Sequence, residues 1–185
     1  MGRTRLVLRD VSQILGNDGL AVVVLTDEAK SLSITAVIEY AMAMELNKRS
    51  KGVAGTELLL PEVLVSLLQM GSDNDYELVI HDVSDAQYKV TLICRHLMAA
   101  RPIRFSDALL LSLITGVPLT IDNELFARQS SPYTPNVDGV SIPINLVQLN
   151  QLKSALDKAI EEEDYELAAQ LQKEIENRRK RRKTT

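Results

Sequence analysis

The sequence predicts an α+β fold, a mixed or antiparallel sheet with packed helices, continuing into a C-terminal helical hairpin. Three observations carry this expectation. Apolar runs of strand length come in pairs joined by short turn-forming segments, which favours hairpin connections over parallel crossovers. Helical patterns stand between these groups of strands rather than alternating with each of them. Near the C-terminus, Leu146, Leu149, Leu152, Leu156 and Ile160 recur at helical spacing, and Ala168, Leu171 and Ile175 form a second stripe beyond an acidic break.

Each element follows from local pattern. Leu6-Val-Leu8 and Leu20 to Leu25 read as strands joined through Gly16-Asn-Asp-Gly19, a turn composition, and Leu32-Ser-Ile-Thr35 is a third strand. Val37 to Leu46 reads as a helix. A second helix follows Leu58-Leu-Leu60, with Pro61 in its first turn and Gly71 just past its end. Tyr76 to His81 and Gln87 to Cys94 form an antiparallel pair around Val83-Ser-Asp-Ala86. Ser106 to Ile114 is apolar almost all round and is therefore a buried helix. Val117 to Ile121 is a short strand that closes the domain. Ser130 to Gly139, rich in Pro, Ser and Gly, reads as a linker. The expected units are a body over 1–128, a linker over 129–144, a hairpin over 145–178 and a basic, disordered tail over 179–185.

In the hairpin, Asp164 is placed to accept hydrogen bonds from the backbone N–H groups that open the second helix. Helices this short are marginal in water, so they pack on each other, on a second copy or on the body. The residues expected to meet a protein partner, or a second copy in a homo-oligomer, are Leu152, Leu156, Ile160, Tyr165, Ala168, Leu171 and Ile175. A solvated terminal helix pair is the plainer alternative.

Composition narrows the classes. A chain of 185 residues, 45% of them hydrophobic, can bury a core and holds one domain plus an appendage. Cys94 is the single cysteine, which excludes an intrachain disulfide and suits a reducing compartment; Leu92 and Ile93 beside it suggest a packed strand position. No apolar segment of signal-peptide length follows Met1-Gly-Arg-Thr-Arg5, and no run approaches a membrane span, so a cytoplasmic protein without membrane contact is expected. Net charge is −4, but Arg178, Arg179, Lys180, Arg181, Arg182 and Lys183 supply six of the 21 basic residues and no acidic ones. Without them, 15 basic side chains face 25 acidic ones. An acidic body is no electrostatic footprint for nucleic acid, whereas the tail could meet phosphates or be simply a solvated end.

Two family resemblances add to this. The run Glu163-Asp-Tyr-Glu-Leu-Ala-Ala-Gln-Leu-Gln-Lys-Glu-Ile175, within Leu152 to Ile175, resembles the UVR motif of the excision-repair proteins UvrB and UvrC, which also occurs in bacterial protease regulators. The resemblance implies a helical hairpin used for protein–protein contact. The body, from about Leu20 to Phe126, resembles the bifunctional nuclease family, whose members are described as acting on DNA and RNA. The stretches that carry this are Ala21-Val-Val-Val-Leu25, Ile38-Glu-Tyr-Ala41, Ser66-Leu-Leu68, Val79-Ile-His-Asp-Val83, Arg104-Phe-Ser-Asp-Ala-Leu109 and Leu113-Ile-Thr-Gly-Val-Pro-Leu119. Departures are equally specific. A family Asp falls on Pro102, a family Thr-His-Asp falls on Leu60-Pro-Glu62, and a family glycine is absent from Ala36-Val-Ile-Glu-Tyr-Ala41.

The resemblance implies metal-assisted phosphodiester hydrolysis, which needs carboxylates to hold a hard cation such as Mg²⁺ or Mn²⁺ and a basic group to meet the phosphate. The residues inherited by position are Glu39, Glu62, His81, Asp82, Arg104, Ser106 and Asp107. Each also has a plain structural role. Ser106 and Asp107 stand where a helix starts, as cap and macrodipole partner. Arg104 can pair with Asp107, Glu62 is a first-turn acid, and His81-Asp82 precedes a turn. Glu39, on an apolar helix, would need a partner if buried. Met42 and Met44 read as core. There is no Gly-rich phosphate loop, no zinc spacing and no nucleophile elbow, and with only His81 and His96 a histidine-rich metal centre is excluded. With no Trp and 4% aromatics there is little material for base stacking. Two functions stay open: a nuclease recruited by its hairpin, and a degenerate nuclease domain serving as an oligomeric scaffold or adaptor. Convergence of Glu39, Glu62, Asp82, Arg104 and Asp107 on one cleft favours the first, and scatter the second.

Overall fold

The computed structural model describes residues 2–14, 19–71 and 75–133 and, beyond these, individual positions between 153 and 176. Two antiparallel meanders make up most of one eight-stranded sheet. The first is β1 (Arg3–Gln13), β2 (Leu20–Asp27) and β3 (Leu32–Glu39); the second is β4 (Tyr76–Ser84), β5 (Gln87–Cys94) and β6 (Ala99–Ile103). A four-residue strand, β7 (Leu119–Asp122), joins them, antiparallel to β1 and parallel to β4. The two-residue β8 (Ser131–Pro132) extends the edge beside β3, so the spatial order is β6-β5-β4-β7-β1-β2-β3-β8.

The strands alternate as a half-covered sheet requires. Ala21, Val23 and Leu25 of β2 and Ile34, Ala36 and Ile38 of β3 face one core, which they share with Leu78, Ile80, Tyr88, Val90, Leu119 and Ile121. The helices α1 (Tyr40–Ser50) and α3 (Phe105–Thr115) cover that face, contributing Ala43, Leu46, Ala108 and Leu109. The sheet curls: Tyr88 on β5 reaches β3, five places away in strand order, with its hydroxyl 3.5 Å from the Thr35 carbonyl oxygen. Burial pushes the Tyr88 phenol well above its ordinary pKa, so it stays neutral. Gly116 closes α3 in the left-handed region (φ 74°), the conformation a helix stop favours, and turns the chain directly into β7.

Several sequence expectations need correction. The first helix starts at Tyr40, not Val37, because β3 continues to Glu39 with Val37 opposite Val22. The two-residue alternation of Ile34, Ala36 and Ile38 outlasts the weaker helical pattern there. The second helix, α2 (Leu60–Leu67), carries Pro61 in its first turn as expected but ends before Gly71; Gln69 (φ 50°) takes the left-handed position a glycine would favour. Val117 to Ile121 does not close the domain. Its strand lies mid-sheet and is followed by α4 (Asn123–Gln129), which is too short for its pattern to show, and by β8, so Ser131 and Pro132 belong to the sheet edge and not to a linker. Strand β6 went unread because Arg101 and Pro102 lack strand character, although proline is tolerated on an edge strand. Among the described residues no helix is long and apolar enough to cross a membrane.

Beyond the body, helical positions lie on both sides of Asp164, whose carbonyl accepts the Ala168 N–H at 3.0 Å. Ala159, Ala168, Leu171 and Ile175 bury one another together with Leu156, forming a small core of their own.

The β4–β5 hairpin turns through Asp85 and Ala86, both at positive φ (51° and 63°). Such two-residue turns favour Asp-Gly, so Ala86→Gly is expected to stabilise the body by about 0.5–1 kcal/mol, read as a raised denaturant midpoint at unchanged slope.

Candidate functional site

The candidate site forms where α1 and α3 begin. Glu39 is the last residue of β3 and the N-cap of α1; Arg104 follows β6 and is the N-cap of α3. Their side chains approach to 3.8 Å, bringing together segments 65 residues apart in sequence. One turn into α3, Asp107 receives a forked pair of hydrogen bonds from Arg104, at 2.6 and 3.0 Å. That pairing raises the Arg104 guanidinium above its ordinary pKa, first through the hydrogen bond and then through the Asp107 charge. Neither helix has a side-chain cap hydrogen bond, and the first N–H of α1, that of Tyr40, donates to the Gly19 carbonyl at 3.0 Å. Glu39 is therefore not a buried acid on a helix face, as its apolar neighbours suggested. Its side chain is 66% exposed. Ser106 and Asp107 do not cap α3; Asp107 acts as a first-turn acid complementing the macrodipole.

Glu62 lies in a different network. Its carboxylate accepts two hydrogen bonds from Arg49 of α1, at 2.8 and 3.1 Å, and Arg49 also pairs with Glu45 one turn back. Only 6% of the Arg49 side chain is exposed. Burial pulls its pKa down, and the hydrogen bonds to Glu62 and Glu45 together outweigh this and hold the guanidinium charged. Sequence reasoning missed Arg49. The Glu45–Arg49 spacing of four was visible, but the contact to Glu62 needed the packing of α2 on α1. His81 and Asp82 sit elsewhere again, exposed where the β4–β5 register shifts by a residue, with Asp82 opposite Lys89. The structure thus links Glu39, Arg104 and Asp107 by contact but binds Glu62 to Arg49 and puts His81-Asp82 on a β-bulge, so the candidate residues do not all converge on one cleft. Among the described residues no group of three or more His, Cys, Asp or Glu side chains is arranged to hold a metal.

In the C-terminal unit, Ala168, Leu171, Ile175 and Leu156 pack inward, whereas Ile160 and Tyr165 are exposed, at 53% and 69%. Leu152 and the basic residues Arg178, Arg179, Lys180, Arg181, Arg182 and Lys183 lie outside the described residues.

A family model for the bifunctional nuclease domain matches residues 23–134, more than half of the chain. The chain belongs to the bifunctional nuclease domain family. Its family segment starts on β2, runs through the Glu39–Arg104–Asp107 corner and ends just past β8. A second family model, the UvrB/UvrC motif, matches 147–180, in the order expected for a nuclease-family domain followed by an interaction motif. No curated protein matches the chain.

The two acidic networks differ in what they hold. Glu62→Ala leaves the nearly buried Arg49 guanidinium with Glu45 alone and is expected to cost about 2 kcal/mol of unfolding free energy, while Asp107→Ala, which frees an arginine already in solvent, should cost less than that. Parallel urea titrations check this. Glu45 is held below its ordinary carboxylate value of 4.5 by hydrogen bonds from Lys48 and then Arg49. Its folded pKa lies below its unfolded one, so the unfolded chain binds more protons and the stabilisation fades as pH falls below that value. In thermal melts, the gap between wild type and Glu45→Gln is therefore expected to narrow from about pH 5 to pH 3.

Proposed function

We infer that this chain cleaves phosphodiester bonds in nucleic acid at the corner formed by Glu39, Arg104 and Asp107. The observation that carries the reading is a guanidinium at the N-cap of one helix flanked by two carboxylates, one of them from the N-cap of another. Family membership supplies the reaction class. A phosphate oxygen is favoured there because Arg104 offers a planar set of donors at the start of α3. An exposed arginine whose partners are side chains can exchange them for phosphate.

The donor set fits a hard divalent cation in its least demanding form. Mg²⁺ and Mn²⁺ bind through one or two carboxylates and keep several waters, and an exposed Glu39 and a half-buried Asp107 flank one guanidinium. These two would hold the ion, which would supply an acidified water and charge neutralisation at the phosphate. Arg104 orients the phosphate, and Asp107 keeps Arg104 aimed. Ser106, between them in sequence, is half-buried in the first turn of α3.

A second reading has its own observation. Glu62 is committed to Arg49, and the UVR motif presents Ile160 and Tyr165 outward, which supports an adaptor that recruits a protein, with the basic tail as a contact for nucleic acid.

Purified protein incubated with single-stranded and duplex DNA and with RNA, in Mg²⁺ or Mn²⁺ and then in chelator, separates the two. Metal-dependent cleavage is expected, reduced about 100-fold or more by Asp107→Asn and by Arg104→Ala with the fold intact. Cleavage that survives both substitutions refutes the site, and no cleavage with either metal leaves the adaptor.

A further inference from the structure

We propose that Arg101, three residues before Arg104, holds the phosphate next to the one at the corner, so that a single strand of nucleic acid lies along the open edge of β6. The contact serves the cleavage described above and rests on that reading. Strand β6 ends the sheet on its side, and among the described residues no strand pairs with its outer edge. Pro102 has no N–H to offer, which blunts this edge as a template for a further protein strand. Arg101 lies opposite Leu92, and Ile103 opposite Val90, and both of these partners pack into the core. Arg101 therefore belongs to the face of β6 that the helices cover. Arg104 is held on the same side by its fork onto Asp107 of α3. The backbone stays extended through Arg104 (φ −64°, ψ 145°), which sets the two α-carbons about 10 Å apart. Two arginine side chains can close that span onto successive phosphates of one strand.

The balance of charge asks for such a contact. At the corner one guanidinium stands between two carboxylates, so an incoming phosphate needs a further cation beside it. Arg3, Arg49 and Arg95 are engaged by carboxylates. Arg101 is exposed, donates to the Ala100 carbonyl at 2.9 Å and, among the described residues, pairs with no carboxylate. A single strand suits this edge better than a duplex. A duplex carries one charge per about 1.7 Å of axis, against about 3.4 Å for each of its strands. Outside the run 178–183 the chain sets 25 acidic side chains against 15 basic ones, and the lower charge density meets less repulsion.

Binding of a labelled single-stranded oligonucleotide, as DNA and as RNA, to the full chain in chelator reads this contact apart from cleavage. Arg101→Ala is expected to weaken binding about tenfold and to lower the slope of log affinity against log salt by about 0.7, the share of one phosphate on a single strand. Arg101→Lys should restore most of the loss, and duplex affinity should not respond to Arg101→Ala. Lys89 lies between the core residues Tyr88 and Val90 and so on the opposite face of the sheet, and Lys89→Ala is expected to bind as the wild type does. In Mg²⁺ or Mn²⁺, Arg101→Ala should raise KM about tenfold and keep kcat. A wild type that does not bind, unchanged single-strand affinity in Arg101→Ala, an equal loss on duplex or the same loss from Lys89→Ala would each overturn the proposal. Binding that depends on Arg101 in a wild type that cleaves nothing upholds the contact and refutes the reaction.

Discussion

The body depends on β7. Its four residues join two meanders that otherwise share no ladder: Leu119 lies between Leu6 of β1 and Leu78 of β4, and Ile121 pairs with Thr4 on one side and Ile80 on the other. Leu6, Leu78, Leu119 and Ile121 are all buried, and the Thr120 hydroxyl donates to the Leu78 carbonyl at 3.1 Å. A parallel pair cannot be closed by a tight turn, so the β4–β7 contact forces the intervening chain to cross over the sheet. That crossover is β5, β6 and α3. The position of α3, and with it Arg104 and Asp107, is a consequence of where β7 must go.

The same constraint explains why the corner at Glu39 exists. Strand β3 ends at the rim where α1 turns back over the core, and α3 starts from the end of β6 two strands beyond β4. The curl that brings Tyr88 to Thr35 closes the gap between these distant strand ends. The N-cap residues of two helices, Glu39 and Arg104, then approach to 3.8 Å, with Asp107 on the other side of the arginine. The three charges come from segments that each make local sense alone, a strand end and a helix first turn, and their approach depends on the curl.

Charge is handled differently across the molecule. Glu77 accepts from both Arg3 and Arg95 across the strand ends, and its carboxyl is held below the ordinary range, first by Arg95. Arg49 is nearly sealed by two carboxylates, a structural joint between α1 and α2. Arg104 is open to solvent, forked onto Asp107 and only loosely paired with Glu39. Openness, not residue type, separates a group that can meet a substrate from one that holds the fold.

Much was legible in the sequence because it depends on neighbours along the chain. The α+β class, the strand pairs 6–8 with 20–25 and 76–81 with 87–94 and the apolar helix at 106–114 rest on short-range periodicity and turn chemistry, and the UVR run around Asp164 on its resemblance to a known motif. The Arg104–Asp107 pair was legible too, being one helical turn apart. What the tertiary structure alone decided needed distance: the continuation of β3 through Val37, the edge strand β6, the central place of β7, the capture of Glu62 by Arg49 and the approach of Glu39 to Arg104. Local pattern sets which face of an element is apolar, but which elements meet follows from closing one sheet around one core, and no stretch of sequence holds that sum by itself.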